Sequence, residues 1–192
     1  MSSITSPLIE LLSSDDESLA HAARQDPAAF AELYHRHFTR VYRYHVARSG
    51  EIAVAQDLTT LTFLAAMEGI ASYRGSGSFV AWLMAIARNQ MAQHFRSRKR
   101  EDSLEQAESL SDPAQLPEVA AGRRIQFSQV CQALGELKSE HAEAITLCLF
   151  ANLTAGEAGL VMGKSEGAIK MLLLRGLGEL RGKLSSNQLE EV

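Results

Sequence analysis

The sequence predicts an all-α chain of two small helical domains joined by an acidic linker, the C-terminal domain containing a helix-turn-helix. Three observations predict it. Apolar residues recur at helical spacing in both halves, as in Phe30, Leu33, Tyr34, Phe38, Val41 and Tyr42. Between the halves, Glu101 to Gly122 holds six acids, Pro113 and Pro117, and no Lys or Arg, the composition of an exposed tether. Toward the C-terminus, Thr154-Ala155-Gly156-Glu157 matches a capping box. Gly163 then separates a short helix from a longer one.

The elements follow in order. Residues 1–25 read as a Ser-rich, acidic tail, with room for a short helix around Ile9 to Ala22. Asp26-Pro27 reads as an N-cap with proline in the first turn, and Ser49-Gly50 ends that helix. A second helix is expected from about Ile52 to Ser72, with Leu58, Leu61, Leu64 and Ala65 on one face. Gly75 to Ser78 make a loop, and a third helix closes the first domain, 26–100. After the linker, 101–121, helices are expected from about Gly122 to Leu137 and from near Ser139. Thr154 and Ser165 cap the two helices of the corner, the second running to about Leu184, so the second domain spans 122–184 and a tail 185–192.

Composition narrows the function. The chain has 192 residues, a net charge of -4 and 46% hydrophobic residues. That suffices for a core, and it argues against coating nucleic acid by bulk charge. The two cysteines, Cys131 and Cys148, are too few for a disulfide framework and are expected to be buried thiols in a reducing cytosol. No apolar run approaches membrane-spanning length and the N-terminus lacks a signal pattern, so a cytoplasmic chain without membrane insertion is expected. With scattered histidines, no phosphate loop and no nucleophile elbow, neither an enzyme nor a cofactor or metal site is expected.

The most informative stretch is Tyr73 to Arg100. A Gly/Ser loop opens into an apolar helix carrying Phe79 and Trp82, which then turns basic and polar through Arg88, Asn89, Gln93 and Arg96, without one Asp or Glu. Aromatics and a loop beside a basic helix can hold an unstacked base and its phosphates, stacking being worth ~1–3 kcal/mol per base. Two other readings of these residues stand beside that one. Phe79 and Trp82 can fill the core, and a basic helix C-terminus is favoured by the helix dipole alone.

These segments resemble the extracytoplasmic-function (ECF) sigma factors over about Asp26 to Leu184. DPAAFAELYHRHFTRVYRY resembles the family's opening helix, AVAQDLTTLTFLAA its polymerase-binding helix and YRGSGSFVAWLMAIARN its promoter-melting segment. LTAGEAGLVMGKSEGAIKMLLLRGLGELRGKL falls on its C-terminal helix-turn-helix. The resemblance implies core RNA polymerase and promoter DNA as partners, with an anti-sigma factor as a further one.

It also implies roles. Asp57, Leu58, Thr60, Leu61, Phe63 and Leu64 would dock on polymerase. Tyr73, Arg74, Ser76, Ser78, Phe79, Trp82, Arg88, Asn89, Gln93 and Arg96 would engage the minus-ten strand. Ser165, Gly167, Lys170, Met171, Leu174 and Arg175 would meet the minus-thirty-five duplex. The chain departs from the family at Thr60 and Leu61, where Gln and an acid are usual, and at Met171 and Leu174, where polar residues are. Base edges are read by donors and acceptors, so the apolar pair admits another account: packing against the rest of this chain or against a partner. A sigma-like protein that mainly binds a regulatory protein is therefore the alternative function, and a stand-alone repressor the third.

Overall fold

The computed structural model describes residues 13–75, 78–102 and 118–190, so Ser76, the first twelve residues and most of the acidic linker lie outside the described residues. Among the described residues there are eight α-helices and no strand. Helix α1 spans Asp16–Ala22, α2 Pro27–Ser49, α3 Ile52–Gly69, followed by a 3-10 turn, Ile70–Ser72, and α4 Phe79–Asp102. The second half holds α5 Glu118–Gly135, α6 Ser139–Ile145 with a π segment Thr146–Phe150, α7 Ala155–Met162 and α8 Glu166–Glu190. Several boundaries differ from expectation: α3 gives way to the 3-10 turn after Gly69, α4 continues two residues past Arg100, α5 starts before Gly122 and ends at Gly135 rather than near Leu137, and α8 runs past Leu184. The added residues at the start of α5, Glu118-Val119-Ala120-Ala121, suit a helix, with an acid in the first turn.

Local chemistry sets the helix ends. Asp26 accepts the Ala28 N–H at 2.9 Å ahead of Pro27, and α2 stops at Gly50, which takes φ 72°. The capping box is complete: the Glu157 N–H donates to Thr154 Oγ1 at 3.2 Å, and the Thr154 N–H donates to Glu157 Oε2 at 2.9 Å. α7 ends at Gly163, φ 65°, where the Lys164 N–H reaches the Gly159 carbonyl. Ser165 accepts the Ala168 N–H at 3.2 Å and starts α8.

One hydrophobic core joins the two halves. Leu33, Val41, Tyr44, Phe79, Leu83 and Met84 of the first cluster with Leu147, Ala151, Leu153, Ala158, Val161 and Ile169 of the second. A second cluster is built the same way, Ala47 of α2 packing with Leu134, Leu137, Ala142, Ile145 and Leu180. The halves are thus clamped face to face, an arrangement that periodicity within either half does not encode. Cys131 is buried and Cys148 half-buried, both as free thiols. Burial pushes the Cys131 thiol up to about 11. Among the described residues, no helix is long and apolar enough to cross a membrane.

Candidate nucleic-acid and polymerase interface

The start of α4 is organised by aromatic packing. Tyr73 and Phe79 meet edge to face at 5.6 Å, and Trp82 lies 5.3 Å from Tyr73 and 5.6 Å from Phe79. Tyr73 and Phe79 are buried, so the core reading holds for Phe79 and extends to Tyr73. Three converging aromatics remove more apolar area from water together than any could alone. Burial, then Glu17 and Asp16, raises the Tyr73 phenol above its ordinary value, and the Arg24 guanidinium donates to the Tyr73 carbonyl. Trp82 keeps an exposed edge. With Tyr73, Arg74, Ser78, Ala81 and Ala85 it lines a cleft of about 320 Å³, whose far wall is Leu160 of α7.

Beyond the cleft, Arg88, Asn89, Gln93 and Arg96 are all exposed on α4, while Ala87 and Met91 turn into the core. This leaves a polar strip along the outer side of one rigid helix, next to the cleft. Such a strip supplies the donors that position a nucleic-acid backbone. Further along, Arg98 pairs with Glu51 at 2.9 Å, and the Arg48 guanidinium sits over the Phe95 ring at 5.4 Å.

The polymerase-binding set divides. Asp57, Thr60, Leu61 and Leu64 are exposed, but Leu58 and Phe63 are buried at 5% and 6% exposure. The last two lie on the inward side of α3 and hold the helix in place, Phe63 showing only a small edge at the surface. The Thr60 hydroxyl donates to its own helix at the Gln56 carbonyl, 3.0 Å away. Leu61, expected on the same face as Leu58, is turned outward. Three exposed apolar side chains belong to this surface that spacing placed in the core or passed over: Tyr34, Phe38 and Met67. With Phe30, Thr59, Thr60, Phe63 and Leu64 they line a shallow groove between α2 and α3. The missed signal is the near-continuous row Phe30, Tyr34, Phe38 and Tyr42, a stripe wider than one helix contact can cover.

On α8, Ser165, Gly167, Lys170, Met171, Leu174 and Arg175 are all exposed, as the helical spacing predicts. Met171 and Leu174 are therefore not packed against the rest of this chain, which corrects that account of them. The core side is less regular than expected: Ile169 and Leu180 are buried, but Leu177 is 41% exposed. Lys170 is held by Glu166 at 2.6 Å, one turn earlier.

This arrangement matches known proteins. Residues 33–101 match the Sigma-70 region 2 family and residues 133–182 match Sigma-70 region 4. The chain is 35% identical to the ECF RNA polymerase sigma factor BldN of Streptomyces coelicolor over 85% of its own length and 63% of BldN's. It is 30% identical to the RNA polymerase sigma factor CarQ of Myxococcus xanthus over 84% of its own length and 92% of CarQ's. Its fold is that of CnrH as solved in complex with the cytosolic domain of CnrY, with a TM-score of 0.71 at 24% identity, covering 89% of this chain and 97% of the other. With both regions present, in the family's order and on its fold, the chain belongs to the ECF RNA polymerase sigma factors, the proteins of promoter recognition in transcription initiation.

Proposed function

We propose that this chain joins core RNA polymerase in the cytoplasm as a non-enzymatic initiation factor and opens its promoters through α4. One observation carries the reading: the exposed strip Arg88, Asn89, Gln93 and Arg96 runs alongside the cleft of Tyr73, Arg74, Ser78 and Trp82, within the region 2 match. The cleft would take an unstacked base, with Trp82 as its aromatic edge and Phe79 as buried support, while the strip holds the strand. Ser76 belongs to the same loop by sequence. Residues 26–100 would carry polymerase and minus-ten binding, and residues 122–184 the minus-thirty-five element.

Asp57, Thr60, Leu61 and Leu64 would dock on polymerase together with the groove at Tyr34, Phe38 and Met67. Ser165, Gly167, Lys170 and Arg175 would stand nearest the upstream duplex, Met171 and Leu174 offering only apolar contact, for instance to a thymine methyl. Transcription in vitro with core polymerase on genomic fragments tests the reading. Promoter-dependent initiation supports it, and its absence with folded protein overturns it.

A second reading rests on Met171 and Leu174, an exposed apolar pair on the recognition helix. Exposed apolar pairs favour protein contact, and CnrH is solved with the cytosolic domain of CnrY. An anti-sigma factor is the partner this surface would take. Affinity capture separates the two: polymerase subunits support the first reading, and a regulator recovered without polymerase supports the second.

A further inference from the structure

Helix α1 lies outside both family matches, yet it holds the segment that opens α4 at both ends. Glu17, in the first turn of α1, accepts the Phe79 N–H on Oε1 at 3.4 Å. That amide is among the first of α4, which have no carbonyl partner in their own helix. Arg24, just past the C-terminus of α1, donates to the Tyr73 carbonyl. Tyr73 and Phe79 flank the loop and pack on Trp82. Neither Glu17 nor Arg24 is among the residues that line the Trp82 cleft.

Helix α1 is in turn fixed on α2. One Asp16 oxygen meets the Arg36 guanidinium at 3.2 Å, and the other meets the His37 ring at 2.8 Å. Leu19 and Ala20 are buried in the cluster that holds Tyr73 and Phe79. Between the two held residues the chain passes through Gly75, at φ 68°, the residue type that gives up most conformational freedom on ordering. Fixing both ends beforehand reduces the freedom still to be lost when a ligand arrives. The sign of the charge points the same way. Glu17 is an exposed acid beside a surface read to take an anionic strand. As a free charge it would oppose that strand, whereas as the acceptor of the Phe79 N–H it shapes the cleft that takes it.

We propose that Glu17 and Arg24 are positioning residues for the minus-ten cleft. Glu17 acts through Phe79 and Arg24 through Tyr73, and together they set Trp82 before the strand arrives. This rests on reading α4 as the minus-ten surface.

The test pairs a substitution that keeps the acceptor with one that removes it. Glu17→Gln loses the charge but keeps an oxygen for the Phe79 N–H, and Glu17→Ala loses both. In holoenzyme assembled with core polymerase, Glu17→Ala is expected to lower permanganate reactivity of unpaired promoter thymines about fivefold, within the worth of one hydrogen bond to a charged group. Capture of polymerase is expected to be unchanged, and Glu17→Gln to stay near wild type. Arg24→Ala is expected to match Glu17→Ala. Both side chains are exposed, so all three variants are expected to melt close to wild type. Reactivity of Glu17→Ala at or above that of wild type, equal losses for Glu17→Ala and Glu17→Gln, or a loss of opening that only follows a loss of polymerase capture each overturns the proposal. Trp82 is the one tryptophan of the chain, so labelling with fluorotryptophan gives a second readout, on the full chain without DNA. Its fluorine resonance is expected to shift or broaden in Glu17→Ala and Arg24→Ala and to stay in place in Glu17→Gln. A resonance unmoved in all three overturns the proposal as well. Failure of the wild type to initiate with core polymerase would remove the sigma reading instead, while the fluorine spectra would still decide whether α1 sets Trp82.

Discussion

A Cβ atom on Gly159 would stand 2.6 Å from the carbonyl oxygen of Lys164. That carbonyl belongs to the turn between α7 and α8, so the corner of the helix-turn-helix closes only over a residue without a side chain. The neighbouring backbone cannot swing aside as a flexible side chain would. Gly159→Ala is therefore expected to destabilise the second domain by ~1–3 kcal/mol, the usual range for overpacking. Gly163→Ala is expected to cost about 1 kcal/mol, through its positive φ alone. Thermal or urea melts of the two variants check the order.

The docking surface makes a separable prediction. Leu61→Asp and Leu64→Asp change exposed side chains, and are expected to weaken capture of core polymerase about tenfold or more while leaving the melting temperature nearly unchanged. Phe63→Ala empties a buried site that touches Tyr34 at a ring separation of 4.7 Å. It is expected to cost ~3–5 kcal/mol of stability. Equal losses of stability for all three would show that α3 is packed differently.

On α4 and α8 the prediction is a ranking. Asn89→Ala is expected to reduce promoter opening, read by permanganate reactivity of unpaired thymines, by about tenfold, the equivalent of one hydrogen bond to a charged group. Lys170→Ala is expected to do less, because Lys170 is already held by Glu166 and an exposed pair contributes little. A larger effect from Lys170→Ala would reverse the ranking.

Acid should destabilise the first domain through His45. Its Nε2 donates to Thr62 Oγ1 at 3.0 Å, the Thr62 hydroxyl proton going to the Leu58 carbonyl at 2.7 Å. Burial, and then the charge of His94, push the His45 pKa from 6.5 down to about 3. The unfolded chain therefore takes up the proton first. Stability is full above about pH 6.5 and falls as the pH drops toward 3, by up to ~1.4 kcal/mol per pH unit from this group. His45→Gln is expected to flatten the slope of urea-unfolding free energy between pH 6 and 4. An unchanged slope would assign the acid sensitivity elsewhere.

How much of this was legible depends on the distance over which each feature is decided. The capping box at Thr154, the Asp26-Pro27 start and the Gly50 stop were legible, because each is closed by atoms within a few residues. So was the outward face of α8, since a buried Ile169 sets the phase for Lys170, Met171 and Leu174. Within the candidate sites, the polar strip of α4 was legible as an unbroken absence of acids. The division of the apolar residues was not. Tyr73 and Leu58 are buried while Tyr34 and Met67 are exposed, although nothing in their composition distinguishes them.

The sequence by itself determined the helices, their caps, the acidic break between two halves and the family to which the chain belongs. These follow from periodicity and from interactions that span a turn or two. Only the tertiary structure decided that the halves close on one another, with the Tyr44 hydroxyl on Glu143, 99 residues away, and Leu160 against the Trp82 cleft. The reason is physical: a helix face records that it must be covered, but not by what. Which of two comparable apolar faces covers it is settled by shape and by one buried carboxylate, and neither has a period in the chain.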